Sequence, residues 1–400
     1  MDYSGFAPVR SADGIQVDGL LVLGDSDRIE PGWRVLVGAF KLNGAVTNSA
    51  LLMSPDLEIV HVWTLDEVPV GEVEPRPPHK KLPHGFEMFP NGSIIYTFDG
   101  SMSLQSKDAC GNRLWAAKGP FSHAVTSDSG GDTVWSIQHG PGTGTGTGTG
   151  TGQMGVEGIA QAAVEDGAII REIRIDDIIT ANPDIDILAL RRAMPNELGR
   201  NRRNTPGAWM ADSLHLNDVD PLPAHLAAVF PGFDTGDLLI SARSLNLVFV
   251  LDPETLRIKW WQVGLSIRQH DPDWMPSGEI MIFNNRMGRD YSEIIAIDPQ
   301  TNTKRVVHDG RDTNFCSRIR GKVQMFDNGT LAVTSPQQGR VFEVNPEGEV
   351  VLEIVNTKSG DDDFNYVISE QKWLPPDFFS TDLPDCLADI RGQFAEENAL

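Results

Sequence analysis

The sequence contains little cysteine. Its 400 residues include only 3 cysteines, Cys110, Cys316 and Cys386, which lie far apart in the chain. A small, odd number of widely spaced cysteines argues against a disulfide framework and fits a reducing compartment. None of the three belongs to a closely spaced pair of the kind found in metal sites. The sequence therefore predicts neither a disulfide framework nor a cysteine-bound metal.

The sequence also lacks an excess of positive charge and long apolar runs. Its 33 lysines and arginines against 56 aspartates and glutamates give a formal net charge of −23, which disfavours general attraction to nucleic acid or to an anionic membrane. No stretch reaches the roughly 18 apolar residues of a membrane span, and the first residues lack the pattern of a signal peptide. We therefore expect a soluble cytoplasmic protein without a nucleic-acid or membrane partner. The composition does not indicate its oligomeric state.

What the chain does have is a repeated β-strand unit. Six segments begin with a glycine and continue into a β-prone run, at Gly32, Gly92, Gly131, Gly236, Gly278 and Gly329. A second apolar strand, a turn rich in Asp, Asn, Pro or Gly and a third strand follow in each unit. Six such sheets in series predict an all-β fold, a six-bladed β-propeller. A β-sandwich is the alternative, and the regularity of the unit favours the propeller.

The repeats also suggest how the chain is divided. We predict an N-terminal segment over residues 1–30, the propeller over 31–376 and a short helical tail over 377–400. Two insertions interrupt the propeller. The Gly-Thr tract at 140–152 predicts a mobile loop. The other insertion, 177–214, contains five arginines; their charge could gate an anionic ligand at the channel mouth, although a solvated loop is the simpler interpretation.

A histidine precedes the glycine by eight residues in three of the units, at His84, His123 and His270. Gly321 occupies the same position in a further copy. His215 is the equivalent in the fourth unit, although an insertion separates it from its glycine. Because repeated units place equivalent residues in equivalent positions, these imidazoles are predicted to converge on the propeller axis, where ligands usually bind.

Two arginines stand at the opposite ends of the predicted inner strands, Arg243 and Arg286. With a rise of about 3.3 Å per residue, they would lie some 25 Å from the histidines unless the chain bends back. The spacing therefore supports a ring of histidines better than it supports these arginines. The remaining histidines show no repetition and are interpreted as surface or structural residues: His61, His79, His139, His225 and His308.

Several motifs in a fixed order point to a known family. They are HAVTSDSGGDTVW, DSLHLND, GDLLISARSLNLVFVLDPET, RQHDPDWMPSGEIMIFNNR and VQMFDNGTLAV. With them the sequence resembles the arylsulfotransferases, six-bladed propeller enzymes that move a sulfuryl group between phenols without a nucleotide donor. The resemblance runs from about residue 33 to 355. It is to the shorter branch of the family, without an extra N-terminal β-domain or a disulfide before the nucleophile.

The resemblance implies roles for individual residues. His270 would be the nucleophile, and His215 and Arg243 would bind the sulfuryl oxygens. The histidine that assists the leaving group would be His123, with His84 as the alternative. Four further residues are candidates for substrate binding: His84, Arg286, Asn217 and Trp274. A neutral imidazole has a lone pair near pH 7 and can attack sulfur, while cationic and N–H groups stabilise the charge that develops on oxygen.

The resulting prediction is an enzyme that transfers a sulfuryl group from a small aryl sulfate to a phenol through a sulfohistidine, with no cofactor. Two other functions remain open. Three or four imidazoles at one axis also satisfy the ligand requirement of Zn²⁺ or another divalent metal, as in a metal-dependent lyase or hydrolase. A non-catalytic propeller that serves as a binding scaffold is the third hypothesis.

Overall fold

The chain forms a six-bladed β-propeller, as the repeats predict. The computed structural model describes residues 3–24, 27–68, 81–139, 157–190, 214–358, 365–380 and 383–387. Within these ranges each blade has a core of four antiparallel strands, and the innermost strand of each lies at the axis.

The first half of the chain supplies the N-terminal strands and three blades. Four short strands come first: β1 (Ala7–Pro8), β2 (Arg10–Ser11), β3 (Val17–Asp18) and β4 (Leu20–Gly24). Blade one continues with β5 (Trp33–Leu42), β6 (Ala45–Met53) and β7 (Glu58–Thr64). Blade two consists of β8 (Pro83–Met88), β9 (Ile94–Phe98), β10 (Ser103–Lys107) and β11 (Arg113–Lys118). Blade three consists of β12 (Phe121–Ser127), β13 (Thr133–His139), β14 (Glu157–Ala163) and β15 (Ile169–Arg174).

The second half supplies the other three blades and the closing strand. Helix α1 (Ile175–Ala181) follows blade three. Blade four consists of β16 (Leu216–Pro221), β17 (Leu238–Ala242), β18 (Leu247–Leu251) and β19 (Ile258–Val263). Blade five consists of β20 (His270–Trp274), β21 (Ile280–Asn284), β22 (Glu293–Asp298) and β23 (Thr303–Asp309). Blade six consists of β24 (Lys322–Met325), β25 (Leu331–Ser335), β26 (Arg340–Val344) and β27 (Val350–Asn356), and β28 (Ile368–Leu374) comes last. Single 3₁₀ turns occur at Ile187–Leu190, Ala227–Val229, Arg243–Leu245, Pro336–Gln338 and Asp385–Leu387.

The two ends of the chain close the ring. Strand β28 is the innermost strand of blade one, where it pairs antiparallel with β5. Strand β4 pairs with β27 at the outer edge of blade six. The residues predicted as an N-terminal segment therefore extend the blades, and a C-terminal strand completes the first blade. The sequence pattern did not predict this exchange of strands.

The hydrophobic core lies between neighbouring blades. Ile240 and Phe249 of blade four pack in one buried cluster with Ile137 and Ile159 of blade three. Because both faces of a blade contact other blades, the second and third strands read as nearly continuous apolar runs, such as LLISA in β17, whose residues are all buried. Burial of each large side chain contributes about 1.5–3 kcal/mol. This packing fixes the inner strands and the polar residues they carry.

Parts of the predicted insertions and tail lie outside the described residues. The Gly-Thr tract at 140–152 does so entirely, as does the arginine-rich part of the second insertion within 191–213. The helix predicted over 377–400 is represented in the described part by the 3₁₀ turn alone, and 388–400 lie outside it. Among the helices described, none has the length and apolarity needed to cross a membrane.

The cysteine prediction was wrong. Cys110 and Cys386 form a disulfide, with their Cα atoms 5.6 Å apart, and Cys316 is free. After β28 the chain returns over blade two, where Leu383 and Leu387 are buried. This packing brings together two cysteines that are 276 residues apart, a proximity that spacing in the sequence does not show.

Candidate active site

The histidine-bearing segments are themselves the innermost strands. Strands β8, β12, β16 and β20 line the axis, and the glycine-initiated strands pair with them as second strands. Since the two run antiparallel, the end of each second strand returns to the histidine end of the blade. The separation expected for Arg243 was therefore wrong: its backbone N–H donates to the carbonyl of His215 at 3.1 Å.

Each of these four strands is irregular beside its histidine. The register shifts between Pro83 and Gly85 in β8, and comparable shifts occur in β12, β16 and β20. His123 and His215 have φ angles of 64° and 51°, a region that residues with a Cβ rarely adopt. β-Bulges redirect side chains and are frequent next to active sites. A register shift of the same kind therefore orients the imidazole at the start of each of these strands.

Four imidazoles form a contiguous histidine cluster: His84, His123, His139 and His215. The ring of His123 is central, with centroids 4.2 Å from His84, 5.0 Å from His215 and 5.1 Å from His139. His139, interpreted from the sequence as structural, belongs to the cluster because it ends β13, and its Nε2–H donates to the carbonyl of Leu216 at 3.1 Å. The predicted convergence of His84, His123 and His215 is thus present.

His270 is held in a defined orientation next to the histidine cluster. Its Nδ1 lies 2.7 Å from Oδ1 of Asn285. The amide nitrogen of Asn285 donates to the carbonyls of Ser317 at 2.8 Å and Arg320 at 2.6 Å, so its oxygen must face the imidazole and accept from Nδ1–H. The lone pair of His270 consequently lies on Nε2, where the backbone N–H of Arg320 donates at 3.1 Å.

The imidazoles of the site are held in their neutral form. Burial lowers the pKa of His270 well below its usual value, and the charge of Arg243 lowers it further. Burial likewise lowers the pKa of His84 to about 3, with the charge of Arg320 as the next cause. For His123, burial and then the neighbouring His84 keep the pKa well below its usual value. All three rings are therefore unprotonated at pH 7, each with one nitrogen that carries a lone pair.

A second guanidinium lies at the site besides that of Arg243. Arg320 immediately precedes Gly321, the glycine that replaces histidine in the sixth repeat, and its φ angle of 62° matches that of His123. Its side chain forms an ion pair with Asp99 of blade two at 2.7 Å. No sequence motif marks Arg320 itself, although the repeat position of Gly321 lies next to it in the chain.

The other predicted substrate-binding residues lie at different distances from His270. Asn217 is buried beside the strand of His270, since its Nδ2 donates to the carbonyl of Gln269 at 2.8 Å. Arg286 directly follows Asn285 at the end of β21, so the separation expected from the sequence was wrong for Arg286 as well, and its guanidinium pairs with Glu293 at 2.6 Å. Trp274 lies four residues along β20, about 13 Å from His270, and packs on Phe230 with ring centroids 4.8 Å apart. Trp274 therefore lies too far along β20 to contact His270.

Further along the axis the channel becomes acidic. A cavity of about 280 Å³ is lined by Asp218, Asp220, Asp273, Lys322 and Glu370 among others. Lys322 donates to Asp271 at 2.6 Å, and burial raises the pKa of both Asp218 and Glu370 to about 7. Buried carboxyl groups disfavour an anion, whereas the histidine end carries two arginines. An anionic group is therefore favoured at the histidine end.

A metal centre needs several ligand side chains that converge on one point. In the described ranges, no group of three or more histidine, cysteine or acidic side chains is arranged to hold a metal ion. The imidazoles of the histidine cluster instead pack ring against ring, edge to face between His84 and His123. The geometry gives no support to the metal-dependent alternative.

The fold and the site define a class: a six-bladed propeller with histidines and arginines at one end of its axis. The sequence matches the family described as Arylsulfotransferase (ASST) over residues 85–357, more than half of the chain, and the protein belongs to this family. Membership supports a sulfotransferase-type enzyme with aryl sulfate and phenol substrates in general terms. No curated protein matches the sequence.

Solved structures resemble the chain in fold. A protein of unknown function from Bacteroides caccae is 12% identical with a TM-score of 0.52, and the match covers 86% of this chain and 99% of that one. A functionally unknown protein from Desulfotomaculum acetoxidans is 11% identical, with a TM-score of 0.40 and coverage of 80% and 78%. Virginiamycin B lyase from Staphylococcus aureus is 10% identical, with a TM-score of 0.39 and coverage of 73% and 84%. At these identities the likeness concerns the fold alone.

Proposed function

We propose that the protein transfers a sulfuryl group from an aryl sulfate to a phenol through a sulfohistidine at His270. The observation that carries the proposal is the hydrogen bond between Nδ1–H of His270 and Asn285 at 2.7 Å. This bond selects the tautomer with its lone pair on Nε2, and the low pKa of His270 keeps that tautomer unprotonated at neutral pH. A nucleophile of this kind divides one difficult transfer into two easier steps.

In the first step, Nε2 of His270 attacks sulfur while the bond between sulfur and the phenolic oxygen breaks. The electron pair of that bond leaves with the phenolate. The new N–S bond places positive charge on the ring, and Nδ1–H remains bonded to Asn285, which stabilises that charge. Arg243 and N–H groups of the histidine cluster would hold the sulfuryl oxygens, as groups fixed in advance where charge develops.

In the second step, the acceptor phenol transfers its proton to a neutral imidazole and its oxygen attacks sulfur. The N–S bond breaks, and its electron pair returns to Nε2. Burial and then the neighbouring His84 keep the pKa of His123 well below its usual value, so at neutral pH the ring is in the unprotonated form that can accept this proton and not in the protonated form that would supply one to the leaving phenolate. Solvent supplies the proton to the departing phenolate and removes the one left on His123, so both steps balance.

The test uses 4-nitrophenyl sulfate as donor, with and without phenol, and follows nitrophenolate release. His270→Gln should reduce release about 10³-fold or more, whereas His225→Gln, in an exposed loop of blade four, should match the wild type. With donor alone, mass spectrometry of the wild type should show one added sulfuryl group on the peptide containing His270. Retained turnover in His270→Gln, or a sulfuryl group on another residue, would exclude the proposed nucleophile.

A further inference from the structure

Arg320 touches the nucleophile and the opposite blade at once. Its N–H donates to Nε2 of His270 at 3.1 Å, and its carbonyl accepts from Asn285 at 2.6 Å. Its guanidinium reaches blade two, where it pairs with Asp99 at 2.7 Å. Both peptide groups of one residue therefore contact the His270–Asn285 pair, while the charge of the same residue is held by a separate blade.

The hydrogen bond to Nε2 has a chemical consequence. Attack on sulfur needs the lone pair of Nε2, and in this structure the N–H of Arg320 occupies it. The Nδ1 side is already bonded to Asn285, so the ring cannot use its other nitrogen without losing the orienting bond. His270 must therefore separate from the N–H of Arg320 before it reacts.

The ion pair that holds Arg320 is one that an anion can replace. The side chain of Asp99 is 49% exposed and that of Arg320 is 19% exposed, and exposed carboxylates contribute little to an ion pair. A sulfate ester presents oxygens that a guanidinium binds in a forked geometry. Arg320 lies beside His84 and faces the same end of the channel, as the effect of its charge on the pKa of His84 indicates.

We propose that Arg320 is an additional sulfate-binding residue and that its backbone N–H caps the nucleophile. While the guanidinium of Arg320 is paired with Asp99, the N–H of Arg320 blocks Nε2 of His270. A sulfate ester that replaces Asp99 on the guanidinium releases this N–H from Nε2. The inference extends the proposed function, because it assigns a residue and an order of events to the same site. Its distinctive consequence is that the reactivity of free His270 depends on Asp99, which lies in another blade and has no place in the transfer chemistry.

Two variants test the capping role and the sulfate-binding role of Arg320 separately. Asp99→Asn removes the charge that holds the guanidinium and should free Nε2. Arg320→Asn removes the guanidinium, and asparagine tolerates the φ angle of 62° at this position. Asp309→Asn is the matched control, because Asp309 forms an Asp–Arg pair with Arg311 outside the site.

The first measurement is the rate at which diethyl pyrocarbonate, which reacts with an imidazole lone pair, modifies His270 in the free protein. Peptide mass spectrometry would report this rate relative to the exposed His225. We expect Asp99→Asn to react about tenfold faster than the wild type and Asp309→Asn to match it. Equal rates in the wild type and Asp99→Asn would overturn the cap.

The second measurement is the Kd for inorganic sulfate, used as the anionic probe. Arg320→Asn should weaken it about tenfold, since a charged hydrogen-bonded contact is lost. An unchanged Kd in correctly folded Arg320→Asn would overturn the binding role. Neither measurement requires turnover. If wild-type protein transfers no sulfuryl group, the proposed function fails, while labelling and sulfate binding still decide the inference about Arg320.

Discussion

At the scale of single residues, the two ring nitrogens of His270 have different hydrogen-bond partners. One nitrogen faces Asn285, whose amide orientation is fixed by the carbonyls of Ser317 and Arg320. The other nitrogen carries the lone pair and accepts a hydrogen bond from the backbone N–H of Arg320. An imidazole whose two nitrogens are bonded differently has one nitrogen with a lone pair, and in the proposed transfer that atom, Nε2, is the one that sulfur would approach.

The low pKa of His270 predicts an unusual dependence of activity on pH. A histidine with an ordinary pKa near 6.5 would lose its lone pair as the pH falls through that value. Because burial and then Arg243 keep the folded-state pKa of His270 well below this, His270 stays neutral as the pH falls through 6.5. We expect kcat/KM for 4-nitrophenyl sulfate to show no acidic limb near 6.5. An inflection in kcat/KM at that pH would contradict the assignment.

The site residues were only partly predictable from the sequence, for a physical reason. His84, His123 and His215 recur at equivalent repeat positions, and the structure brings them together. His139 and Asn285 are not repeated residues, so no pattern marks them. They reach the site from the ends of second strands, a position that becomes visible only once the strand pairing is known.

At the scale of elements, the decisive feature is the pairing of each histidine strand with its glycine strand. The sequence pattern predicted three strands per unit and missed the innermost because segments such as HDPDW in β20 are short and polar. A strand that lines a polar channel does not show the apolar alternation of a half-buried strand. The blade number was predictable from the glycine repeats, whereas the innermost strands and the position of Arg243 were not.

The approach of β8 to β12 depends on a glycine. A Cβ at Gly85 would lie 1.9 Å from the carbonyl oxygen of His123, so Gly85→Ala must push the two strands apart. We expect a loss of about 1–3 kcal/mol in the free energy of unfolding and a fall in kcat of about tenfold or more, because His123 moves. Thermal melts and steady-state kinetics would measure both. Gly130→Ala, in a loop where the nearest atoms are 3.6 Å away, is the control, and equal effects of the two substitutions would refute the strand argument.

At the scale of the whole molecule, closure of the ring depends on contacts between the ends of the chain. Strand β28 completes blade one, and the chain that follows it packs on blade two through Leu383 and Leu387. The buried ion pair between Arg34 of β5 and Glu343 of β26, at 2.7 Å, joins blades one and six at the same closure. Loss of the closing strand would expose the edge of β5 and the core of blade one.

The disulfide between Cys110 and Cys386 covalently secures this closure. A cross-link between residues 276 apart restricts the unfolded chain strongly, and disulfides of this kind typically contribute about 2–4 kcal/mol. We expect Cys386→Ser to lower the Tm by about 5–10 °C, and dithiothreitol to lower the Tm of the wild type similarly while leaving that of the variant unchanged. Cys316→Ser removes the free thiol and is the control. If the wild type melts at the same temperature with and without reductant, the bond does not secure the closure.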